Sequence, residues 1–531
     1  MANWIYNKVG NTIEEIIDAL CGYSVEELNA DGSKACIQKF AVAEAIAEFL
    51  LKTAKKHQKV FLIGDYDADG VTSSIIMSLI FDALKIPYRV HIPRRMSEGY
   101  GVSEKILATL QDDEEIIMTV DNGIAARKVF EEHAAGREVI IIDHHLAPED
   151  GLLPEARTIF DPEVNSEGNS FVHYCGAGLC YKIAQELLEK KELSVLTFDK
   201  ITALAAIGTV ADVMPLIEEN RIIVKNGLKL LPKWTFLAQE IGVPSELHSS
   251  DIGFKIGPCF NATGRLFDDG GQRVYQILYR SLTSGRNGIC NLVKTNETRK
   301  LMQERLIQEM NTYYEASPSM YPNFLYIPKC PEGLVGILAG RLAEKTGKAS
   351  FILTETEEGS LKGSARTDGE LDIKQFMDEH KDFFLKYGGH KGAGGFSMTK
   401  ESYDAMVKEC QKSTHKTKEI VYEYQLDIST EEIPELLKRQ EAFEPFGEGM
   451  PKPIVRTLVS VDSFMYMKEK RMVKLVDSTL KGEVDVLGFD HGAWFTENHE
   501  PKMVEVIGTM SYNYFAGKKN PQIEALDMKV F

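Results

Sequence analysis

Apolar residues in the first third of the chain gather into short runs, each closed by a polar or acidic cluster. Lys59–Gly64, Tyr88–Ile92, Ile116–Val120 and Val139–Ile142 are four of them. Short apolar runs of this kind predict strands of a parallel sheet buried on both faces. Val71–Leu84 and Ala125–Ala135 lie between them and read as helices, so strand and helix alternate as in a doubly wound α/β fold. A more helical region follows, with Gly178–Lys190 and Asp199–Ile207 as helices. Asn291–Tyr314 contains no Gly or Pro and is rich in Lys, Glu, Gln, Met and Leu. It predicts one long amphipathic helix, stopped by Ser317-Pro318 and Tyr321-Pro322.

A second α/β unit is expected from about Asn323 to Lys400. It opens with a strand at Phe324–Ile327, then a Gly-rich turn at Glu332–Gly336 leading into a helix that ends near Lys345. A strand at Ser350–Leu353 and the Gly-rich stretch Tyr387–Phe396 complete it. Beyond Lys416 the pattern changes to short alternating segments, Ile454–Val461, Met472–Leu475 and Val484–Phe489, which predict a small β-barrel. The expected organisation is therefore a parallel-sheet domain with a helical extension (1–290), a connecting helix (291–322), a smaller α/β domain (323–416) and a barrel (417–531).

Composition narrows the class. At 531 residues the chain exceeds what one core supports, and 44% hydrophobic with 26% charged residues describes an ordinary globular protein. No apolar run approaches the roughly 18 residues that span a bilayer, and Met1-Ala2-Asn3-Trp4 lacks a signal pattern. A cytoplasmic protein with no membrane partner, monomeric by default, is expected. The eight cysteines form no C-x-x-C pair, and Cys175 and Cys180 read as small core residues. A net charge of −18 lowers the expectation of a nucleic-acid partner. That charge is a whole-chain average, however, and a bound divalent cation inverts the local field at a site.

Candidate chemistry sits at the ends of the predicted strands. Gly64-Asp65-Tyr66-Asp67-Ala68-Asp69-Gly70 places three carboxylates within five residues beside a core. They repel one another, and a hard divalent cation removes that cost. An Asp-rich surface turn is the plainer alternative. An EF-hand loop is disfavoured because the twelfth residue from Asp65 is Ile76. Asp121-Asn122-Gly123 and Asp143-His144-His145 close two further strands, where open α/β sheets place their ligand sites. Asp212 is a lone carboxylate in an apolar segment and reads either as a fourth contributor or as a helix N-cap. Carboxylates and an imidazole without thiolates suit Mn²⁺ or Mg²⁺. A pair of such ions serves phosphoryl hydrolysis.

These four clusters resemble, in order, the four motifs of DHH phosphoesterases. Tyr387-Gly388-Gly389-His390-Lys391-Gly392-Ala393-Gly394-Gly395-Phe396 resembles the glycine-histidine motif of the associated DHHA1 domain. Four more stretches resemble the RecJ exonuclease family within that superfamily. They are Ile92–Gly101, Gly257–Arg265, Ser364-Ala365-Arg366, and Pro445–Pro453, the lead-in to an oligonucleotide-binding (OB) barrel. Two positions depart from the family: Pro331 stands where a histidine is frequent, and Met450 where asparagine is.

The resemblance implies a 5′→3′ exonuclease that hydrolyses single-stranded DNA to 5′-mononucleotides in DNA repair and recombination. Two Mn²⁺ or Mg²⁺ ions would be held by Asp65, Asp67, Asp69, Asp121, His144 and Asp212, with Asp121 as the bridge. His145 would contact the scissile phosphate or support the leaving oxygen, Asp143 would orient His144, and the nucleophile would be a metal-bound water. Arg95, Ser364, Arg366 and the backbone of Gly388, Gly389 and His390 would bind the 5′ end, and Arg265 would make a backbone contact with the substrate. Phe464, Tyr466, Tyr512, Tyr514 and Phe515, with Lys468, Lys470, Lys518 and Lys519, would grip the strand downstream, unless they are barrel core and solvated surface. A single-strand-binding protein or a helicase are candidate partners. The alternatives are a DHH oligoribonuclease, a cyclic-dinucleotide phosphodiesterase and a non-catalytic replication scaffold.

Overall fold

A computed structural model describes residues 2–23, 38–148, 150–234, 237–244, 246–285, 288–356, 359–412, 421–468, 470–479, 482–515 and 518–531. Cys36, the 416/417 boundary, and the side chains of Phe515 and Lys518 lie outside that description. Past a short first strand, β1 (Asn3–Tyr6), the four apolar runs form β2 (Lys59–Ile63), β3 (Tyr88–His91), β4 (Glu114–Val120) and β5 (Glu138–Ile142). A fifth strand, β6 (Thr158–Phe160), joins them in the parallel order β3-β2-β4-β5-β6. The chain leaves β2 for β3 on one side and returns to β4 on the other. The carboxyl ends of β2 and β4 therefore flank the topological switch point, the crevice where such sheets bind ligands.

The helix Ala68–Leu84 follows β2 and is buried around most of its circumference. Its Thr72, Ser73, Ser74 and Ser78 satisfy their hydroxyls on carbonyls one turn back, so polar residues sit in the core at little cost. Helices Gly176–Glu189 and Val195–Ala211 pack on it. Cys175 and Cys180 are fully buried, as expected. The second predicted helix begins at Val195 rather than Asp199, because Ser194 caps it by accepting from the Thr197 amide. The long helix runs Ile289–Ala316.

The second α/β unit is a five-stranded sheet in the order β10-β11-β9-β8-β7. Its strands are β7 (Asn323–Tyr326), β8 (Ser350–Glu355), β9 (Leu361–Arg366), β10 (Lys386–His390) and β11 (Ala393–Met398). Only the β7–β8 pair is parallel. Glu332–Gly336, expected as a turn, is instead the start of the helix Glu332–Thr346. Pro331 sits just before its first turn, and Gly333 allows that turn to touch the backbone of Arg265.

The last unit contains β12 (Val421–Tyr424), which pairs with β1, and β13 (Leu426–Ser429), β14 (Ile454–Ser460), β15 (Ser463–Met467), β16 (Met472–Thr479), β17 (Gly482–Gly488), β18 (Met503–Phe515) and β19 (Lys518–Val530). Seven strands run β13-β14-β18-β19-β17-β16-β15 and curl round one core. Ile13, Ile17, Ala206, Leu216 and Val224 from the first unit share that core, so the barrel is packed onto the parallel-sheet domain. Among the described residues no helix is long and apolar enough to cross a membrane.

Candidate active site

Every acidic cluster singled out in the sequence reaches the switch point. Asp67 caps the helix Ala68–Leu84, its Oδ1 accepting from the amides of Asp69 and Gly70, both at 3.0 Å. Asp69 is held from the other side by the amides of Gly176 (2.7 Å) and Ala177 (2.9 Å) at the start of the next helix. Asp121 closes β4 with φ +61°, a left-handed conformation unusual for aspartate. A Cβ on Gly176 would lie 2.7 Å from the Cβ of Asp121, so only glycine lets that helix approach. Asp212, offered above as an N-cap, is instead the C-cap of Val195–Ala211. A carboxylate at the negative end of a helix dipole is unfavourable unless a cation is near.

The donor atoms fall into three groups, each within 4.8 Å: Asp65–Asp67–Asp121, Asp69–His144–Asp212, and Asp121–His144–His145. His144 Nε2 lies 3.0 Å from Asp121, 3.6 Å from Asp212 and 3.9 Å from Asp69. Burial, and then the Asp67 charge, hold Asp65 well above the usual carboxylate range; burial and then Asp69 do the same to Asp121. Asp67 is raised by burial and Asp69, and Asp212 is pushed up to about 8 by the same two causes. Burial lowers His144. Asp65 Oδ1 is buried with no hydrogen-bond partner. Crowded, water-poor carboxylates with an orphaned oxygen and a neutral imidazole are the donor set a hard divalent cation satisfies.

Asp143 does not orient the His144 ring. Its Oδ1 accepts from His145 Nδ1 at 2.7 Å and from the His144 amide at 2.8 Å, and its Oδ2 from the Ile124 amide. Burial opposes charge on His145, but the Asp143 carboxylate outweighs it and holds the imidazole up at about 9. Sequence reasoning assigned no role to two groups here. The Tyr100 hydroxyl lies 3.0 Å from His145 Nε2 and 3.3 Å from the Asp121 carbonyl. Asp161, at the end of β6, is buried beside Asp143 and pushed up to about 7, first by burial and then by that neighbour. Tyr100 stood inside a recognised stretch, whereas nothing in the pattern marked Asp161.

The basic residues line the cleft between the two α/β units. Arg95 lies over the Tyr66 ring at 4.8 Å, on a loop that Asp268 pins through the amides of Met96 and Ser97. Arg265 ends the helix Gly257–Leu266 and donates to the Gly333 carbonyl at 3.3 Å. Burial, then the nearby Arg95 and Arg299, lower it to about 10, with Arg366 adding to the crowd. Arg299, on the long helix and braced by Asn296, escaped the sequence reading because one arginine on an amphipathic helix carries no signal. Arg265 and Arg366 line an opening of about 300 Å³ with Gly336 and Gly340. Four guanidiniums gathered with so few carboxylates predict an anion site.

Cross-strand register explains the glycine motif. Ser364, Gly395 and Gly388 form one row, and Arg366, Ala393 and His390 the next row on the same face. Side chains built on Gly388 or Gly395 would meet nothing, so this face is bare backbone edged by Ser364, Arg366 and His390. Gly389 belongs to the alternate row, with φ +148°, and its partner Gly394 backs onto Met377.

On the barrel, Lys519 Nζ lies 4.1 Å over Tyr512 and 5.6 Å over Tyr514 and also pairs with Glu441. Phe464 packs against Tyr466 and the buried Phe495, while Lys470 lies over Tyr466 and Lys468 is exposed.

The model of the DHH family N-terminal domain matches residues 59–209, the DHHA1 domain 324–416 and the RecJ OB domain 424–527. The single-stranded-DNA-specific exonuclease RecJ of Bacillus subtilis is 28% identical over 506 residues, covering 91% of this chain. The chain spans 63% of that relative's length. The RecJ of Haemophilus influenzae is 27% identical over 531 residues, 92% of this chain and 90% of that one. The crystal structure of Thermus thermophilus RecJ with Mn²⁺ superposes with a TM-score of 0.79 at 24% identity, covering 99% of this chain and 79% of that chain. That likeness fixes the fold.

Proposed function

The chain belongs to the RecJ-like DHH/DHHA1 phosphoesterases, and from that premise we propose that it is a 5′→3′ exonuclease hydrolysing single-stranded DNA to 5′-mononucleotides. The observation that carries the reading is the juxtaposition of a buried six-ligand cluster with an arginine-lined cleft against a bare backbone face.

Asp65, Asp67, Asp69, Asp121, His144 and Asp212 would hold two Mn²⁺ or Mg²⁺ ions, and Asp121 belongs to two of the three donor groups. Such ions supply Lewis acidity to a phosphodiester and to water. His145, oriented by Asp143 and Tyr100, would carry a proton and positive charge at the scissile phosphate. Arg95, Arg265, Ser364 and Arg366, with the Gly388, Gly389 and His390 backbone, would hold the 5′-terminal phosphate. Arginine forks bind phosphate and glycine lets it approach the backbone, and an end held there would be the place where cleavage starts. The barrel would hold the following strand by stacking and charge, without reading sequence. Single strands arising in repair and recombination would be its substrates, delivered by a helicase or a single-strand-binding protein.

The test is a 3′-labelled, 5′-phosphorylated single strand in Mn²⁺, with wild type beside Asp121→Ala. Release of mononucleotides from the 5′ end by wild type alone is the expected outcome. Cleavage restricted to di- to pentanucleotides or a cyclic dinucleotide would sink the exonuclease reading and leave the superfamily.

A further inference from the structure

One helical run ties the three units together. It is continuous from Ser249 to Leu266, about 27 Å long at 1.5 Å per residue. At its start, Ser249 donates to the Phe446 carbonyl of the barrel lead-in, and His248 contacts Glu444 and Tyr514. At its end, Arg265 meets Gly333 of the second α/β unit. Between them, Asn261 Oδ1 accepts from the Ala68 amide at 2.7 Å, inside the first acidic motif. The run thus passes beneath the acidic cluster on its way from the barrel to the arginine cleft.

The stretch between the acidic cluster and the barrel is a π-helical turn, Ile252–Ile256. Such turns are rare and favour functional sites. Ile252 and Ile256 are buried, while Phe254 between them is 78% exposed, the most exposed large apolar side chain among the described residues. The turn abuts the end of the helix that carries Asp212: a Cβ on Gly257 would lie 3.3 Å from that of Ala211, and one on Gly253 3.8 Å from Val210. Val213, directly after Asp212, is 65% exposed with φ +58°, strained for a β-branched residue. Single exposed apolar groups are ordinary on a protein surface. Two of them, one on a rare turn packed against the Val195–Ala211 helix and one on a strained backbone directly after Asp212, are not. Lys255 is tied to Asp251 at 2.7 Å, so the neighbouring charge is already engaged and the turn offers an apolar face. Toward the barrel, His248 at the head of the run reaches Tyr514, which with Tyr512 lies beneath Lys519.

We propose that Phe254 is a stacking platform for a nucleobase of the strand, between the acidic cluster and the barrel. The inference rests on the reading of the substrate as single-stranded DNA. Stacking on a π face tolerates any base, which suits an enzyme that must accept each nucleotide in turn.

The test uses the full chain, Phe254→Ala, Phe254→Trp, and 5′-phosphorylated oligodeoxythymidylates with one abasic nucleotide placed at successive positions. Binding is read by anisotropy in EDTA, and KM and kcat in Mn²⁺. In wild type, one position downstream of the 5′ end should weaken binding about 5- to 100-fold. Phe254→Ala should weaken the intact strand by a similar factor, abolish the penalty at that one position and leave melting temperature unchanged, with Phe254→Trp restoring both. An abasic penalty that persists in Phe254→Ala, or an intact strand bound equally well by it, overturns the proposal. Phe254-dependent binding without hydrolysis would sink the exonuclease reading and keep this one; hydrolysis with an unaltered penalty would do the reverse.

Discussion

In the parallel sheet the strand ends carry carboxylates, and burial together with their neighbours' charge raises Asp65, Asp67, Asp121 and Asp212. The β9–β11–β10 face of the second unit is bare backbone at Gly388 and Gly395, edged by Ser364, Arg366 and His390, with Lys362 and Lys386 in the adjoining row. The first arrangement gathers repelling charge that a cation relieves; the second leaves room for an anion to approach the backbone beside the Arg366 guanidinium. Both work on phosphate, one by concentrating positive charge at the scissile linkage and the other by recognising where the strand ends. Substitutions should therefore act with opposite signs on stability in the two regions.

The largest effect is expected at Asp121. Asp121→Asn should lower kcat about a thousand-fold, equivalent to about 4 kcal/mol. In EDTA it should raise the melting temperature, because one of several mutually repelling buried carboxylates is gone. The stabilisation that Mn²⁺ gives wild type should shrink in the variant. Calorimetry with and without Mn²⁺ checks both signs, and a variant less stable than wild type in EDTA would break the contrast.

Arg366→Ala should follow, with kcat/KM on 5′-phosphorylated strands falling about 10- to 100-fold, the cost of lost charge-assisted hydrogen bonds. A 5′-hydroxyl strand should lose much less. Equal losses on both would remove the arginine cleft from end recognition. Next is a pair that separates folding from binding on one sheet. A Cβ on Gly388 meets no atom within 4 Å, so in Gly388→Ala melting should hold while strand binding weakens about ten-fold, judged against the same charge-assisted contacts. Gly394→Ala places a Cβ 2.6 Å from Met377 and should cost about 1–3 kcal/mol of stability.

Much of this contrast was legible in the residues. Carboxylates that close apolar runs announce themselves, because no core keeps them for packing, and the Gly-rich stretch had no strand or helix reason to exist. What escaped depended on long-range packing. Asp143 serves His145 rather than His144 because the β5 end turns, which spacing alone does not encode. Asp212 sits at a helix C-terminus because Val195–Ala211 extends four residues past the predicted Ile207. Asn261 was read only as part of a stretch, yet its amide oxygen caps the first acidic motif from 193 residues away. Glu332–Gly336 looked like a turn because two glycines lie close together; one of them is there for contact with Arg265.

The smallest expected effect lies where the barrel meets the parallel-sheet domain, and it extends the contrast to a third junction with a conventional ion pair. His248 Nδ1 and Glu444 face each other at 3.4 Å, with Asp251 and Lys452 nearby. The hydrogen bond to Glu444 holds His248 above its ordinary value despite burial. Burial acts to raise Glu444, but His248 and Lys452 outweigh it and hold the carboxyl below its ordinary value. A raised imidazole contributes stability that is full below about pH 6.5 and is lost as pH rises through the folded value. The lowered carboxylate contributes above its unfolded value of 4.5 and fades as pH falls below it. The junction should therefore be tightest between these limits and loosen above about pH 6.5. Because the acidic cluster titrates too, the quantity to measure is the difference in melting temperature between wild type and Glu444→Gln from pH 5.5 to 8.5. That difference should be largest at the acid end and shrink toward the alkaline end. A constant difference would mean that Glu444 holds the barrel through its bond to the Phe446 amide alone, and that the junction, unlike the acidic cluster, is indifferent to protons.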